Sequence, residues 1–427
     1  MALNKSPYRG TRDFFPKEMR LRNYIFQKMA EVSELFAYEP YDGPLLEEVD
    51  LYLAKSGEEL INEQIYSFTD RGDRKVAIRP EMTPTVARMV AQIHREVAKP
   101  LRWYAIPNLM RYEKPQKGRL REFWQFNADI FGAGQHGEVE ILQLAVTLLK
   151  SFGANDEHFE VLVNDRRFVD LVFEKLIGLD PTSTKKLYKL VDAKNKMAPE
   201  KFSTEVRVLT NDETKAKVFE AFVGLKSVDE IKTFAETYLN ETEQLQPLYG
   251  LFEKLNQQGL TEYIKFDPSI VRGLDYYTGM VFEIFDKHPE NRRAIAGGGS
   301  FANLLQIFNE PALEGVGIGL GEVPLTDFLN THKLMPDFSR PQLDYLIAYL
   351  DTGSEIRAMQ LTQKLRDKLQ KVELYFGEAK PKKVLSYSDK KEISKIVFIS
   401  ESEIKIREMK TRTETTMTFE EIIEGTK

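Results

Sequence analysis

The sequence predicts a multidomain α+β chain that ends in a small α/β unit. Three observations carry that prediction. First, 427 residues exceed what one hydrophobic core usually serves, so two or three domains are expected. Second, strand-like segments occur before residue 165 and again from 269, while residues 166–262 are mostly helical and rich in Lys and Glu. That middle stretch reads as an inserted helical domain. Third, a strand–helix–strand pattern of βαβ type closes the chain after a linker with two prolines.

Composition narrows the function classes. Hydrophobic residues make up 42% and charged residues 30%, which excludes a largely disordered chain. The balance of 60 Lys+Arg against 66 Asp+Glu leaves a formal charge of −6, which argues against a chain that coats nucleic acid nonspecifically. It leaves room for a nucleic-acid enzyme, because local basic patches set phosphate contacts. No apolar run approaches the roughly 20 residues that span a bilayer, so no membrane association is expected. The opening MALNKSPYRGTRDFFP has no apolar signal region, and a cytoplasmic location is expected. With no cysteine, disulfides, thiolate zinc sites and cysteine nucleophiles are excluded. His94, His136, His158, His288 and His332 lack metal-ligand spacing, and no metal-binding side chains are expected.

The elements follow in order. Residues 17–36 carry apolar side chains near helical spacing, and Tyr41-Asp42-Gly43-Pro44 breaks that pattern. Residues 76–79 read as a strand, and 83–97 as a helix with Pro84 in its first turn. Two strands, 101–106 and 122–131, flank the loop RYEKPQKGRLR, which holds five bases and one acid. A helix over 139–152 and a strand over 158–164 precede the helical insertion. Strand pattern resumes over 269–285, followed by Gly297-Gly298-Gly299 and by Gly315, Gly317, Gly319 and Gly321. The first domain is set at 1–330, the linker at 331–342 and the last domain at 343–427. In the last domain 343–350 and 371–376 read as strands around a helix at 355–370. Residues 395–409 add strand pattern and 419–425 a final helix.

Chemistry concentrates in 107–132. Alternate side chains of a strand share a face. Arg121, Phe123, Gln125, Asn127 and Asp129 then lie on one side, and Glu122, Trp124, Phe126, Ala128 and Ile130 on the other. The second set is mainly apolar and is assigned to the core. The first mixes a cation, a ring, two amides and a carboxylate, which is costly to bury without partners. Such a face either meets water in a half-solvated antiparallel sheet or lines a ligand site. The cationic loop beside it favours a ligand that carries phosphates.

Arg111-Tyr112-Glu113, the basic loop and Arg121-Glu122-Phe123-Trp124-Gln125 resemble motif 2 of class II aminoacyl-tRNA synthetases. Val271-Arg272-Gly273-Leu274-Asp275-Tyr276-Tyr277-Thr278 resembles the signature of the histidyl-tRNA synthetase family within that class. Gly10-Thr11-Arg12-Asp13-Phe14, Arg79-Pro80-Glu81-Met82-Thr83 and the anticodon-domain-like end agree in kind and order. The resemblance implies a class II catalytic core: a mixed, mostly antiparallel sheet flanked by helices, interrupted by the helical insertion. It also implies a histidine–tRNA ligase that makes histidyl-adenylate from histidine and ATP and passes the histidyl group to tRNA(His). Mg2+ is the implied companion of ATP, and the 17–36 helix with Pro44 matches the region that builds the family's homodimer.

Residue roles come with the resemblance. Arg111 matches the arginine that grips the α-phosphate, and Arg272 a second arginine near the reacting groups. Both are the expected catalytic residues. Glu113, Arg121 and Phe123 join Arg111 in the ATP site, with Phe123 stacking on adenine and Glu113 near its amino group. Glu81, Thr83 and Gln125 match groups near the amino nitrogen of histidine. Asp129 and Tyr277 match groups that read its imidazole. Gln116 and Lys117 match the loop that meets the acceptor end of tRNA.

The sequence departs from the family twice. Ser300-Phe301-Ala302 stands where Arg-Tyr-Asp usually follows the glycine run. Pro324 occupies the motif 3 position of an arginine that clamps the γ-phosphate, and proline offers neither charge nor an N–H. Another cation, Arg119 or Arg121, or magnesium, is left to compensate. A second function class fits these departures: a catalytically impaired, synthetase-like histidine-binding protein, such as a regulatory subunit of ATP phosphoribosyltransferase. That relative generally lacks the C-terminal domain, so residues 343–427, Arg111 and Arg272 favour the ligase.

Overall fold

The computed structural model describes residues 3–54, 63–194, 197–239, 242–271, 276–336, 343–376 and 380–425. They form two units, 1–335 and 336–427.

The first unit opens with helix α1 (Pro16–Leu35). Proline in its first turn loses no hydrogen bond there, and Ile25, Met29 and Val32 form its buried stripe. Short strands β1 (Glu39–Pro40) and β2 (Leu46–Glu48), helix α2 (Val49–Leu53), and strands β3 (Tyr66–Thr69) and β4 (Lys75–Ile78) follow. Strands β2, β4 and β3 make a small antiparallel sheet. Helix α3 (Thr83–Ile93) then leads to β5 (Leu101–Ala105), β6 (Asn108–Met110), β7 (Glu122–Phe131), α4 (Gln135–Ser151) and β8 (Phe159–Asp165).

Helices α5 (Arg166–Asp170), α6 (Pro181–Ala193), α7 (Pro199–Thr210), α8 (Glu213–Gly224), α9 (Val228–Tyr238) and α10 (Gln246–Gln257) fill the middle. Side chains of Asp180, Asp212 and Ser227 cap three of them by accepting backbone N–H bonds. The sequence reads this stretch as a helical insertion in the first domain, and its apolar residues join the core of the sheet. Phe168 packs its ring 5.2 Å from Phe222 and 6.2 Å from Phe266, which lies in a strand of the large sheet. One continuous core therefore serves both.

The chain returns through β9 (Ile264–Phe266), β10 (Met280–Asp286), β11 (Ala294–Phe301), β12 (Gly315–Gly321) and α11 (Glu322–Thr331). Among the described residues of the strand pattern expected over 269–285, strand forms from Met280 onward. The large sheet has the order β1-β5-β7-β12-β11-β10-β8-β9, with β6 paired to β7. Its two outermost pairs, β1–β5 and β8–β9, are parallel, and every inner pair is antiparallel. One face carries Phe126, Ala128, Ile130, Val316, Ile318 and Leu320, all buried with helix α4 in the main core. The opposite face carries the polar residues of β7.

The second unit holds β13 (Tyr345–Tyr349), α12 (Glu355–Asp367), β14 (Val372–Leu374), α13 (Pro381–Lys391), β15 (Lys395–Ile399), β16 (Ile404–Glu408), β17 (Thr413–Thr416) and α14 (Phe419–Glu424). Its sheet runs β14-β13-β15-β16-β17 and packs its own apolar clusters. Helix α13 escapes the sequence reading. Of its residues only Val384 and Ser388 are fully buried, with Leu385 and Tyr387 packed beside them, so its apolar face is short and mixed with polar positions.

Candidate active site

Strands β7, β12, β11 and β10 build the floor of a cleft on the polar face. Register pairs Asp129 with Gly317 and Asn127 with Gly319, while Gly297 sits between Gly319 and Glu283. Two of these four strands, β12 and β11, thus present glycine beside the polar side chains of β7, while β10 presents Glu283. At Gly317 a Cβ would lie 2.1 Å from Asp129 Oδ1, and at Gly319 one would lie 2.7 Å from Gln125 Nε2. Glycine there lets the polar side chains of β7 lie flat on bare backbone.

The cleft has two parts. An inner cavity of about 130 Å3 is lined by Glu81, Thr83, Gln125, Asn127, Asp129 and Tyr277, among others. Asp129 is only 3% exposed, and burial pushes its carboxyl up to about 7, opposed by the nearby Tyr41 hydroxyl, which lowers it. Gln125 donates to Asn127 Oδ1 at 3.0 Å. The hydroxyl of Tyr276 reaches Glu81 Oε2 at 3.4 Å, and its ring lies 4.9 Å from that of Tyr277. Burial, first of all, raises both tyrosine hydroxyls, so both stay neutral donors. Glu81 and Thr83 arrive from the start of α3. Arg79 anchors that approach through Asp42 Oδ1 at 2.6 Å and the carbonyls of Gly43 and Asn108.

An outer cavity of about 590 Å3 continues from the first. Its charged lining is Arg111, Arg119, Arg292 and Arg293 against Glu113 and Glu283. Arg111 and Gln125 line both cavities. Arg111 Nε donates to the carbonyl of Pro80 at 2.9 Å, and its guanidinium carbon lies 5.4 Å from the Phe123 ring centre. Glu113 pairs with Arg119 Nε at 2.5 Å. The loop between them turns back through Gln116 and Arg119, which bond each other's backbones, with Gly118 at φ +72° in the third turn position.

The structure gathers Glu81, Thr83, Arg111, Glu113, Phe123, Gln125, Asp129 and Tyr277 around this cleft. Arg272 lies outside the described residues. Gln116 and Lys117 sit on the loop, Lys117 beside a further pocket of about 190 Å3. Arg121 is the exception. Residue 121 precedes β7, and its guanidinium turns to the Tyr8 hydroxyl at 2.7 Å and the Glu113 carbonyl at 3.1 Å, stacking 4.1 Å from the Tyr112 ring centre. It does not line either cavity, so the strand alternation ran one residue too far. Sequence reasoning also passed over Tyr41, Glu283, Arg292 and Arg293. Strand alternation could not have singled out Arg293, which precedes β11 and lies beyond a register shift at the start of that strand.

The two departures find places. Phe301 is buried with its ring 5.6 Å from Phe131 and 6.1 Å from Tyr276, a setting that needs no hydroxyl. Ser300 donates to Glu138 Oε1 at 2.6 Å. Pro324 stands in the first turn of α11, where its missing N–H costs nothing, and faces the outer cavity. Glu322 beside it is held by Arg12 at 2.8 Å.

A mostly antiparallel sheet with a two-part cleft on one face, its helices packed on the other, defines the catalytic core of a class II aminoacyl-tRNA synthetase. The histidyl-tRNA synthetase family model matches residues 10–321. A histidine–tRNA ligase of Leptospira biflexa is 42% identical over 434 aligned positions, covering 100% of this chain and 98% of that protein. The chloroplastic and mitochondrial histidine–tRNA ligase of Arabidopsis thaliana is 35% identical over 89% of this chain and 77% of its own length. The crystal structure of histidyl-tRNA synthetase from Nostoc superposes with a TM-score of 0.82 at 20% identity, covering 99% of each chain. The chain belongs to the histidyl-tRNA synthetase family. Among the described residues no helix is long and apolar enough to cross a membrane, and no cluster of three or more His, Asp or Glu could hold a metal ion.

Proposed function

We propose that the cleft activates histidine with ATP and that the full chain transfers the histidyl group to tRNA(His), the reaction of a histidine–tRNA ligase. One observation carries this reading: Arg111 lines both the inner polar cavity and the outer cationic one. A carboxylate held in the first and a phosphate held in the second would meet at its guanidinium. Both reactants are anions, so a planar cation that bonds both oxygens lowers their repulsion and holds them in line.

Each remaining residue takes a role from its place. Asp129 and the Tyr277 hydroxyl would read the two imidazole nitrogens, and a side chain that left them unpaired would be rejected. Glu81, Thr83 and Gln125 would hold the amino group. Phe123 would stack on adenine, with Glu113 near its amino group. Arg272 would be the second arginine at the reacting groups, and Gln116 and Lys117 would meet the tRNA acceptor end. The oxygen donors of Glu283 suit Mg2+, which commonly uses one or two carboxylates plus substrate phosphates. When bound, the ion would neutralise phosphate charge. We place the protein in the cytoplasm as a homodimer, with residues 343–427 at the anticodon.

The test is histidine-dependent exchange of pyrophosphate into ATP by the full chain. Exchange is expected. Folded protein that binds histidine without exchange would support the regulatory-subunit reading, which the full-length similarity to ligases does not favour.

A further inference from the structure

Pro324 removes the motif 3 arginine, yet the outer cavity is not short of positive charge. Four guanidinium groups line it against two carboxylates, and Arg119 already pairs with Glu113. Of these, Arg292 and Arg293 share with Pro324 both the outer cavity and the adjoining pocket of about 190 Å3. Arg293 directly precedes β11, whose start pairs with the end of β12. Pro324 stands in the first turn of α11, which begins directly after β12. The start of β11 and the start of α11 therefore meet at one end of the sheet.

The side chain is placed by its surroundings. Its stem lies against the loop tip, where a Cβ on Gly118 would come within 3.1 Å of Arg293 Cδ. Among the described residues it has no ion pair. Burial and then the nearby Arg119 charge lower its proton affinity, a site that gains from an arriving anion.

We propose that Arg293, with Arg292 beside it, holds the β- and γ-phosphates of ATP, supplying from the start of β11 the cation that Pro324 removes from motif 3. This rests on the ligase reading. In the activation step a histidine carboxylate oxygen bonds the α-phosphorus as the bond from that phosphorus to the bridging oxygen breaks. The electron pair leaves with pyrophosphate, and negative charge grows there. Arg293 meets that charge, stays protonated throughout and exchanges no proton.

The experiment compares full-length Arg293→Ala, Arg293→Gln and Arg293→Lys with the parent, in exchange assays and in calorimetric binding of inorganic pyrophosphate. Loss of a charge-assisted phosphate contact should lower kcat/KM for ATP by about 100-fold in Arg293→Ala, with Arg293→Lys retaining about a tenth of parental activity. Pyrophosphate should bind Arg293→Ala at least about tenfold more weakly. Inhibition by AMP and the KM for histidine should stay within about twofold, because neither ligand carries the β- and γ-phosphates. Adding Pro324→Arg to Arg293→Ala should restore about tenfold, since it returns a cation to the same cavity wall. Arg293→Gln keeps the stem against Gly118 and separates loss of charge from loss of fold. Equal weakening of AMP and ATP, or kcat/KM for ATP within about threefold of the parent in both neutral variants, overturns the assignment. A parent that binds pyrophosphate but lacks exchange sinks the ligase reading alone, whereas unchanged pyrophosphate binding in Arg293→Ala sinks this one.

Discussion

The inner and outer cavities share a wall but are built differently. The inner one is small, and its groups are buried on a backbone stripped to glycine. Asp129, Asn127 and Gln125 are fixed by strand register, and no side chain can be added beneath them. The outer one is over four times larger and holds its charge on long arginine side chains from three segments. The lesson is about what each can lose. A buried polar constellation has one geometry, because each unpaired group costs its full desolvation. A cationic wall needs charge within reach of a phosphate, and several stems can deliver it. The departure in motif 3 falls on the tolerant part.

The sharpest way to break this contrast is Gly317→Ala. Its Cβ would meet Asp129 Oδ1 at 2.1 Å inside a paired strand. Histidine-dependent exchange should fall by about 100-fold or more, because small displacements at a reacting site are that costly. Exchange within about threefold of the parent, in protein with unchanged circular dichroism, would show that the inner cavity is not rigid. Asp129→Ala should weaken histidine binding by more than tenfold, about 1.4 kcal/mol, by calorimetry. An unchanged affinity would remove Asp129 from imidazole recognition.

The same carboxylate predicts a pH effect on stability. Native Asp129 keeps its proton up to about 7, while the unfolded chain releases it in the usual carboxylate range. Its contribution to stability is therefore present at low pH and lost as pH rises through about 7. Asp129→Asn should melt higher than the parent at pH 8, with the gap closing toward pH 5. A gap that widens on acidification would contradict the burial argument.

Two smaller effects sharpen the comparison. Deleting residues after 340 should raise the KM for tRNA while leaving pyrophosphate exchange within about twofold, since each unit packs its own core. Equal loss of both activities would tie the cleft to the second unit. Pro324→Arg alone should change kcat/KM for ATP by no more than about threefold, because the wall already holds charge.

Part of this was legible along the chain. Strand period is local, so the polar and apolar faces of β7 could be written down from residues 122–131, and the core face is buried as expected. Gln125 and Asp129 stood out because costly polar groups alternated with apolar ones, and Arg111 stood out through the resemblance to motif 2. Arg121 was misplaced for a non-local reason. Its backbone N–H bonds the Gly10 carbonyl, a contact 111 positions away in sequence. Helix α13 was missed because its core-facing side mixes Val384, Leu385 and Tyr387 with Ser388 and gives little apolar period.

Short-range periodicity, turn chemistry and residue types decided which faces could be core and which could bind charge, because those depend on neighbours one to four residues apart. Only the tertiary structure decided which faces meet. It set Tyr41 against Asp129 and raised that carboxyl by taking it out of water. It carried Arg293 past Gly118 to the wall of Pro324. Both are consequences of sheet register and burial, which join segments that no sequence window holds together.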